Sequence, residues 1–320
     1  MKLLEVKDLK AYFDISAGCI KAVDGVSFDV DYGEALGLVG ESGCGKTTSA
    51  LAIAKLLPKE GRVHSGQILL ENMDLAAMDD REIRKHRWND VSIVFQGAMN
   101  SLNPVLKIGD QIAEAIVLHR KVDKKAAMKR AGELLELVEI PADRLTNYPH
   151  EFSGGMKQRV MIAMALACDP KVVIGDEPTT ALDVMVQAQI LELLERLRRE
   201  LNMGFILITH DLSILAETCD RIAVMYGGKI MEMGSVTDIF ERTLHPYTKA
   251  LIAAFPDVTG KKNLSDGIRG EPPNMLHPPS GCLFHPRCDI AGDLCREEAP
   301  CQREVSDGHF ISCHNLEVRQ

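Results

Sequence analysis

The sequence predicts an α/β fold: a mostly parallel sheet carrying a phosphate-binding loop, a helix-rich insertion, and a small cysteine-rich C-terminal extension. Three observations predict it. The segment GESGCGKT at 40–47 stands between an apolar run at 35–39 and a helical pattern. A second apolar run, Val172-Val173-Ile174, is followed by the acids Asp176 and Glu177. Five of the nine cysteines lie between Cys282 and Cys313.

The 320 residues, 46% of them hydrophobic, suffice for one large domain or a domain with an appendage. A charged fraction of 26% speaks against a disordered chain and a membrane-embedded one. The net charge of −9 is a poor match to nucleic acid, so no such partner is expected. The longest uninterrupted apolar run, 160–168, is far shorter than the roughly 20 residues a spanning helix needs. The opening MKLLEVKDLK lacks the apolar core of a signal peptide. The expected setting is the cytosol, where thiols stay reduced and a disulfide framework is the weaker reading.

Periodicity orders the elements. After the strand at 35–39 and the loop, a helix is expected over 48–57. Helical spacing marks 108–120 and 126–138. The runs 172–174 and 205–208 read as central strands, with an amphipathic helix over 184–201 between them. Segments 223–226 and 229–233, joined by Gly227-Gly228, read as a hairpin. Residues 256–281 are dense in Pro and Gly and read as a connector. The expected organisation is a nucleotide-binding core from 1–95 and 165–255, a helical subdomain at 96–164, and a connector with the cysteine-rich extension at 256–320.

GESGCGKT fits the pattern G-x-x-x-x-G-K-[ST]. Glycines there let successive backbone N–H groups turn onto phosphate oxygens, and the helix that follows adds its positive N-terminal end. The residues expected to hold nucleotide are Gly40, Ser42, Gly43, Cys44, Gly45, Lys46, Thr47 and Thr48, with Lys46 on the β/γ-phosphates and the Thr47 hydroxyl on magnesium. Cys44 has two readings, an oxidation-sensitive thiol or a tolerant position in the loop.

Carboxylates at the end of a parallel strand sit where ligands bind in α/β sheets. Asp176 suits magnesium, and Glu177 suits the general base of phosphoryl transfer. Alone the pair could be solvated acids; beside the loop it gains meaning. Ser153-Gly154-Gly155 opens a further helix and could be a second anion site or simply a helix cap.

The order of these features resembles the ATPase domain of ABC (ATP-binding cassette) proteins, over about residues 3–256. FSGGMKQR at 152–159 looks like their signature motif, with Met156 where many members have Gln. Gln96 in VFQG matches the Q-loop, Ala181-Leu182-Asp183 the D-loop, and His210 in ITHD the switch histidine. Phe13, or less readily Tyr12, matches the aromatic that stacks on adenine. The resemblance implies a P-loop (RecA-like) core that binds ATP and Mg2+. Two such domains would dock head to tail. Lys46, Gln96, Glu177 and His210 would serve catalysis. Thr47, Gln96 and Asp176 would hold the metal. Ser153, Gly154, Gly155 and Asp183 would complete the site of the opposite subunit.

FQGAMNSLNPVLKIGDQI, DEPTTALDVMVQAQIL and His245-Pro246-Tyr247-Thr248 resemble the dipeptide/oligopeptide/nickel importer group. That implies a peripheral subunit at the cytoplasmic membrane face. Its partners would be a second ABC ATPase, two integral membrane permeases docking near 96–111, and indirectly a substrate-binding protein. Uptake of nickel chelate or oligosaccharide, a soluble ABC ATPase outside transport, and a redox-sensing binding module are the alternatives.

The tail cysteines have spacing C-x5-C-x6-C-x5-C-x11-C, without the C-x2–4-C pairs usual for zinc. A tail too small for its own core often needs a metal staple. GCLFHPRC and GHFISCH resemble the tail of the same importer group, some of whose members carry a [4Fe–4S] cluster. The resemblance implies Cys282, Cys288, Cys295 and Cys313 as its ligands and leaves Cys301 extra. Zinc, with His285 or His314, and free thiols are the alternatives.

Overall fold

A computed structural model describes residues 2–97, 101–180, 182–254 and 268–315. Parts of three sequence readings lie outside the described residues: 98–100 of the Q-loop region, Ala181 of the D-loop, and 256–267 of the connector. The N-terminal half contains β1 (Leu4–Ile15), β2 (Gly18–Val30), β3 (Ala35–Val39), α1 (Lys46–Ile53), β4 (Gly61–Leu70), β5 (Met73–Asp74), α2 (Asp80–His86), β6 (Val91–Val94), α3 (Ile108–Arg120) and α4 (Lys124–Leu137). Then come α5 (Gly154–Ala165), β7 (Val172–Asp176), α6 (Val184–Leu201), β8 (Gly204–Ile208), α7 (Leu212–Thr218), β9 (Arg221–Tyr226) and β10 (Lys229–Ser235). The chain closes with α8 (Val236–Glu241), α9 (Pro246–Ala253), α10 (Asp293–Glu297), β11 (Arg303–Ser306) and β12 (His309–Ile311).

The contacts divide the chain into two compact units, 1–4 with 30–35 and 70–207, and 5–29 with 36–69 and 208–320.

The first unit holds the helices around a parallel pair, β6 beside β7, in register from Val91 opposite Val172 to Val94 opposite Gly175. All five residues of β7 are buried, as a central strand with both faces covered requires. Helix α3 buries Ile108, Ile112, Ala115 and Ile116, while α4 buries Ala127, Ala131, Leu134 and Leu135. The apolar stripe of each recurs at three- and four-residue intervals. Asp123 starts α4 by accepting Ala126 N–H at 2.7 Å.

In the second unit β3 runs parallel to β9, and β9, β10, β12 and β11 follow as antiparallel neighbours. The β9–β10 hairpin turns at Gly227-Gly228 and carries a register shift between Ile230 and Glu232. Strands β2, β1 and β4 are neighbours in another sheet. The sheets are therefore more antiparallel than the sequence reading expected.

The extension is built onto this unit. Its strand β12 adds to β10, with Glu232 opposite Ile311 and Met233 opposite Phe310. The fully buried Glu232 carboxylate anchors the junction, accepting Leu244 N–H at 2.8 Å and Thr243 Oγ1–H at 2.9 Å and facing His309 Nε2 at 2.9 Å. A segment too short for its own core thus borrows one.

Helix α1 begins at Lys46, inside the loop, and ends at Ile53 rather than continuing to 57. Lys55 at φ +54° takes the left-handed conformation that terminates helices, and Pro58 follows shortly. Helices α3 and α6 have the bounds the periodicity predicts.

Candidate functional site

The phosphate-binding loop belongs to the second unit. It leaves the buried strand β3 and enters α1 without a side-chain cap. Gly40 and Gly45 have φ of +151° and +104°, and a Cβ would come within 2.1 Å of Met225 O and 2.4 Å of Ala22 O respectively. Only glycine fits at these two places, because backbone from neighbouring strands presses against the loop. Gly45 gives α1 no side-chain cap, which is the kind of helix start that the motif uses for anions.

Lys46 is 7% exposed, and its ammonium donates to Gly40 O at 2.7 Å and Glu41 O at 3.0 Å. It therefore already lies curled over the loop, held by carbonyls weaker than phosphate oxygens as partners. Cys44 is also buried, and burial pushes its thiol above the usual range. A thiol with so little thiolate is a poor redox target, which favours the tolerant-position reading. Thr47 and Thr48 occupy the first turn of α1.

Two aromatic residues of β1 separate by environment. Tyr12 is buried, donates to Asp24 Oδ1 at 2.6 Å and stacks on His64 at 4.7 Å between centroids. Phe13 is half-exposed, with its ring edge against Gly61. Of the two, Phe13 is the more exposed. His210 follows β8 on the exposed surface, just before Asp211, which caps α7 by accepting Ser213 N–H at 2.9 Å.

In the first unit, β7 ends in buried Asp176 followed by half-exposed Glu177. Glu177 adopts φ +48°, a conformation non-glycine residues seldom hold and one concentrated at functional sites. Its Oε2 accepts Gln96 Nε2–H at 2.5 Å and Thr180 Oγ1–H at 2.9 Å. The structure thus joins Gln96 to the second acid of the pair. The sequence reading missed Thr180, although the apolar strand, acid pair and close-following hydroxyl were all visible.

Ser153 and Asp183 serve as helix caps in the free chain. Ser153 Oγ accepts Met156 N–H at 3.3 Å at the start of α5, and Asp183 Oδ1 accepts Val186 N–H at 3.0 Å at the start of α6. Gly154 and Gly155 form the first turn of α5. Beside the Asp183 cap, Val184 and Met185 are 81% and 72% exposed.

In the tail, Cys282 and Cys295 are buried, Cys288 and Cys313 half-buried and Cys301 exposed. Burial first, and neighbouring thiols second, push Cys282 upward; the neighbours are Cys295, Cys313 and Cys288. Burial likewise raises Cys288 and Cys313, with thiols of this same set adding to it. Cys282, Cys288 and Cys313 are thus each near enough to other cysteines of this set to feel their charge. Among the described residues no three of these sulfurs lie within 4.8 Å of one another.

Comparison with known proteins places these features in a family. The family model described as ABC transporter matches residues 23–180, and that of the oligopeptide/dipeptide transporter C-terminal region matches 231–295. The chain is 47% identical over 317 residues to the dipeptide transport ATP-binding protein DppD of Bacillus subtilis, covering 98% of this chain and 94% of that one. It is 44% identical over 313 residues to the oligopeptide transport ATP-binding protein OppD of Escherichia coli, covering 97% and 92%. Among solved structures, a dimeric bacterial ABC transporter cassette matches with a TM-score of 0.65 at 27% identity, over 73% of this chain and 98% of that one. The same cassette in a post-hydrolysis state bound to ADP and Pi matches equally well.

Proposed function

The chain belongs to the ABC transporter family, as an ATP-binding protein of the oligopeptide/dipeptide group, and from that premise we propose that it powers uptake of peptides or a related small solute by hydrolysing ATP. The observation that carries the reading is the pairing of Gln96 with Glu177 at the end of β7, together with an intact loop holding Lys46. It supports a working ATPase rather than a chain that has kept only the fold.

Each residue has a task. The N–H groups of 40–48 and the Lys46 ammonium bind the polyphosphate, and Phe13 stacks on the base. Thr47, Asp176 and Gln96 would offer the hard oxygen ligands that suit Mg2+, which would neutralise charge on the phosphates. Glu177 accepts a proton from water as its oxygen attacks the γ-phosphorus; the bond from that phosphorus to the β–γ bridging oxygen breaks, and ADP carries the electron pair away. Thr180 and Gln96 hold the Glu177 carboxylate at the strand end until then. His210 serves the same step by contacting the γ-phosphate.

Ser153, Gly154, Gly155 and Asp183 act on the nucleotide of a second ATPase subunit. The exposed apolar pair Val184 and Met185 beside Asp183 supports such a partner, because burial there would remove it from water. Val105 and Leu106, at 75% and 41% exposure, support docking of a membrane permease near 96–111. Among the described residues no helix is long and apolar enough to cross a membrane, so attachment would go through those partners, at the cytoplasmic face. The core at 1–95 and 165–255 would carry the nucleotide, and the subdomain at 96–164 the permease contact.

Cys282, Cys288, Cys295 and Cys313 would hold a [4Fe–4S] cluster. Four buried or half-buried soft thiols in one short segment are the ligand type such a cluster takes. Bound there, the cluster would staple the tail.

The test is isolation of the tagged chain from detergent-solubilised membranes. Integral membrane subunits and a second ATPase subunit should come with it. Recovery of the chain alone, from the soluble fraction, would favour an ABC ATPase outside transport.

A further inference from the structure

The cysteine-rich tail grips the phosphate-binding loop through one side chain. Arg287, immediately before Cys288, makes a two-point ion pair with Glu41, the second residue of the loop. Its Nη1 lies 2.6 Å from Glu41 Oε2 and its Nη2 3.0 Å from Oε1. The remaining guanidinium donors are used as well. Nε donates to Arg269 O at 2.7 Å, Nη1 also to Tyr226 Oη at 3.2 Å, and Nη2 also to Ile268 O at 3.2 Å. All five N–H groups of the fork are thus satisfied, in a side chain only 5% exposed. Lysine could replace the charge but not this geometry.

The surroundings hold the contact in place. Glu41 N–H donates to Tyr247 Oη at 3.0 Å. Tyr226, Tyr247 and Phe284 pack with centroids 4.7–5.3 Å apart, and Phe284 comes from the tail between Cys282 and Cys288. Pro272, Pro273 and Met275 wall a cavity of about 90 Å³ together with Glu41, Ser42, Gly43 and Cys44. The connector and the tail therefore both lie against the loop.

Glu41 is a negative charge on a loop whose backbone is shaped for anions. Left alone, its carboxylate would compete with phosphate for those N–H groups and repel the polyphosphate. Paired with Arg287 it is neutralised and held to the tail side.

We propose that Arg287 is a positioning residue through which the cysteine-rich tail holds the phosphate-binding loop in its nucleotide-receiving shape. It touches no substrate; it acts through Glu41. The proposal rests on the reading of 40–47 as the ATP site.

The experiment is titration of the full chain with N-methylanthraniloyl-ATP and Mg2+, with melting curves on each variant to check folding. Arg287→Ala should weaken binding about tenfold, as the unpaired Glu41 carboxylate repels the polyphosphate. Arg287→Lys should fall between it and the parent chain. Adding Glu41→Gln to Arg287→Ala should recover most of the loss, because the unpaired charge is gone; a merely structural arginine would show no such recovery. Should Arg287→Ala fail to fold, Arg287→Gln alone and with Glu41→Gln carries the same comparison. Unchanged affinity in the arginine variants, or no recovery in the double variant, overturns the proposal while leaving the ATP site intact. Absence of binding by the parent chain overturns the ATP-site reading and the proposal together.

Discussion

Gln96 and Glu177, 81 residues apart, meet through a 2.5 Å hydrogen bond from the amide to the carboxylate, with Thr180 Oγ1 donating to the same oxygen at 2.9 Å. The acid proposed as general base is therefore held from two sides by groups of the chain itself. Replacing Glu177 with Gln removes the proton acceptor and keeps the shape. Phosphate release should fall by about 10²–10⁴-fold while nucleotide affinity stays near the parent value. Steady-state phosphate assay and nucleotide titration on the same preparation check this. Near-normal turnover would remove Glu177 from the base role.

Gln96→Ala should lower kcat more than it raises KM, since the amide steadies the base rather than binding the bulk of the nucleotide. A loss of about tenfold in kcat is expected for one lost charge-assisted hydrogen bond. An effect confined to KM would place Gln96 on the nucleotide alone.

Lys46 is curled onto Gly40 O and Glu41 O, so phosphate oxygens exchange one set of acceptors for a stronger one. Lys46→Ala should weaken nucleotide binding by at least about tenfold. The same fluorescent titration measures it.

Acid should loosen the second unit through His245. Burial lowers this imidazole to about 4, and its Nδ1 accepts Tyr247 N–H at 3.0 Å as the cap of α9. Between pH of about 6.5 and about 4 the unfolded chain takes a proton that the folded chain refuses. Stability is therefore full above about 6.5 and falls by about 1.4 kcal/mol per pH unit through that window. His245→Asn keeps a cap acceptor without a titrating group, so chemical denaturation of that variant should lose this step of the pH dependence.

The tail makes a separate prediction. Anaerobically purified chain should be brown and contain iron, and Cys288→Ser should lose both features. Cys301→Ser should keep them, because Cys301 is exposed while the other four are buried or half-buried. Metal analysis and visible absorbance decide; a colourless, iron-free parent chain would refute the cluster.

Much of this was legible in the sequence because it is local. The loop declares itself by GESGCGKT between a strand and a helix, and α3 and α6 declare their bounds by apolar periodicity. Asp176 and Glu177 are visible at the end of an apolar run for the same reason. Contacts between distant residues were not legible. Nothing near Glu41 points to Arg287, 246 residues away, and nothing near Glu232 points to His309. The end of α1 was misplaced because the left-handed turn at Lys55 has no glycine to mark it. The tail read as an appendage because pairing of β12 with β10 depends on an edge that the sequence does not display. Ser153 and Asp183 show how one residue can satisfy both a local rule and a proposed role. Each caps a helix, as its type and place predict, in the free chain.

The most direct measurement is Mg2+-dependent phosphate release by the complete transporter, assembled from this chain, its ATPase partner and the membrane subunits in lipid. The account predicts turnover that exceeds the isolated chain's and falls by at least about a hundredfold when Glu177→Gln replaces the parent chain. Equal turnover with and without the membrane subunits, or undiminished turnover with Glu177→Gln, would contradict it.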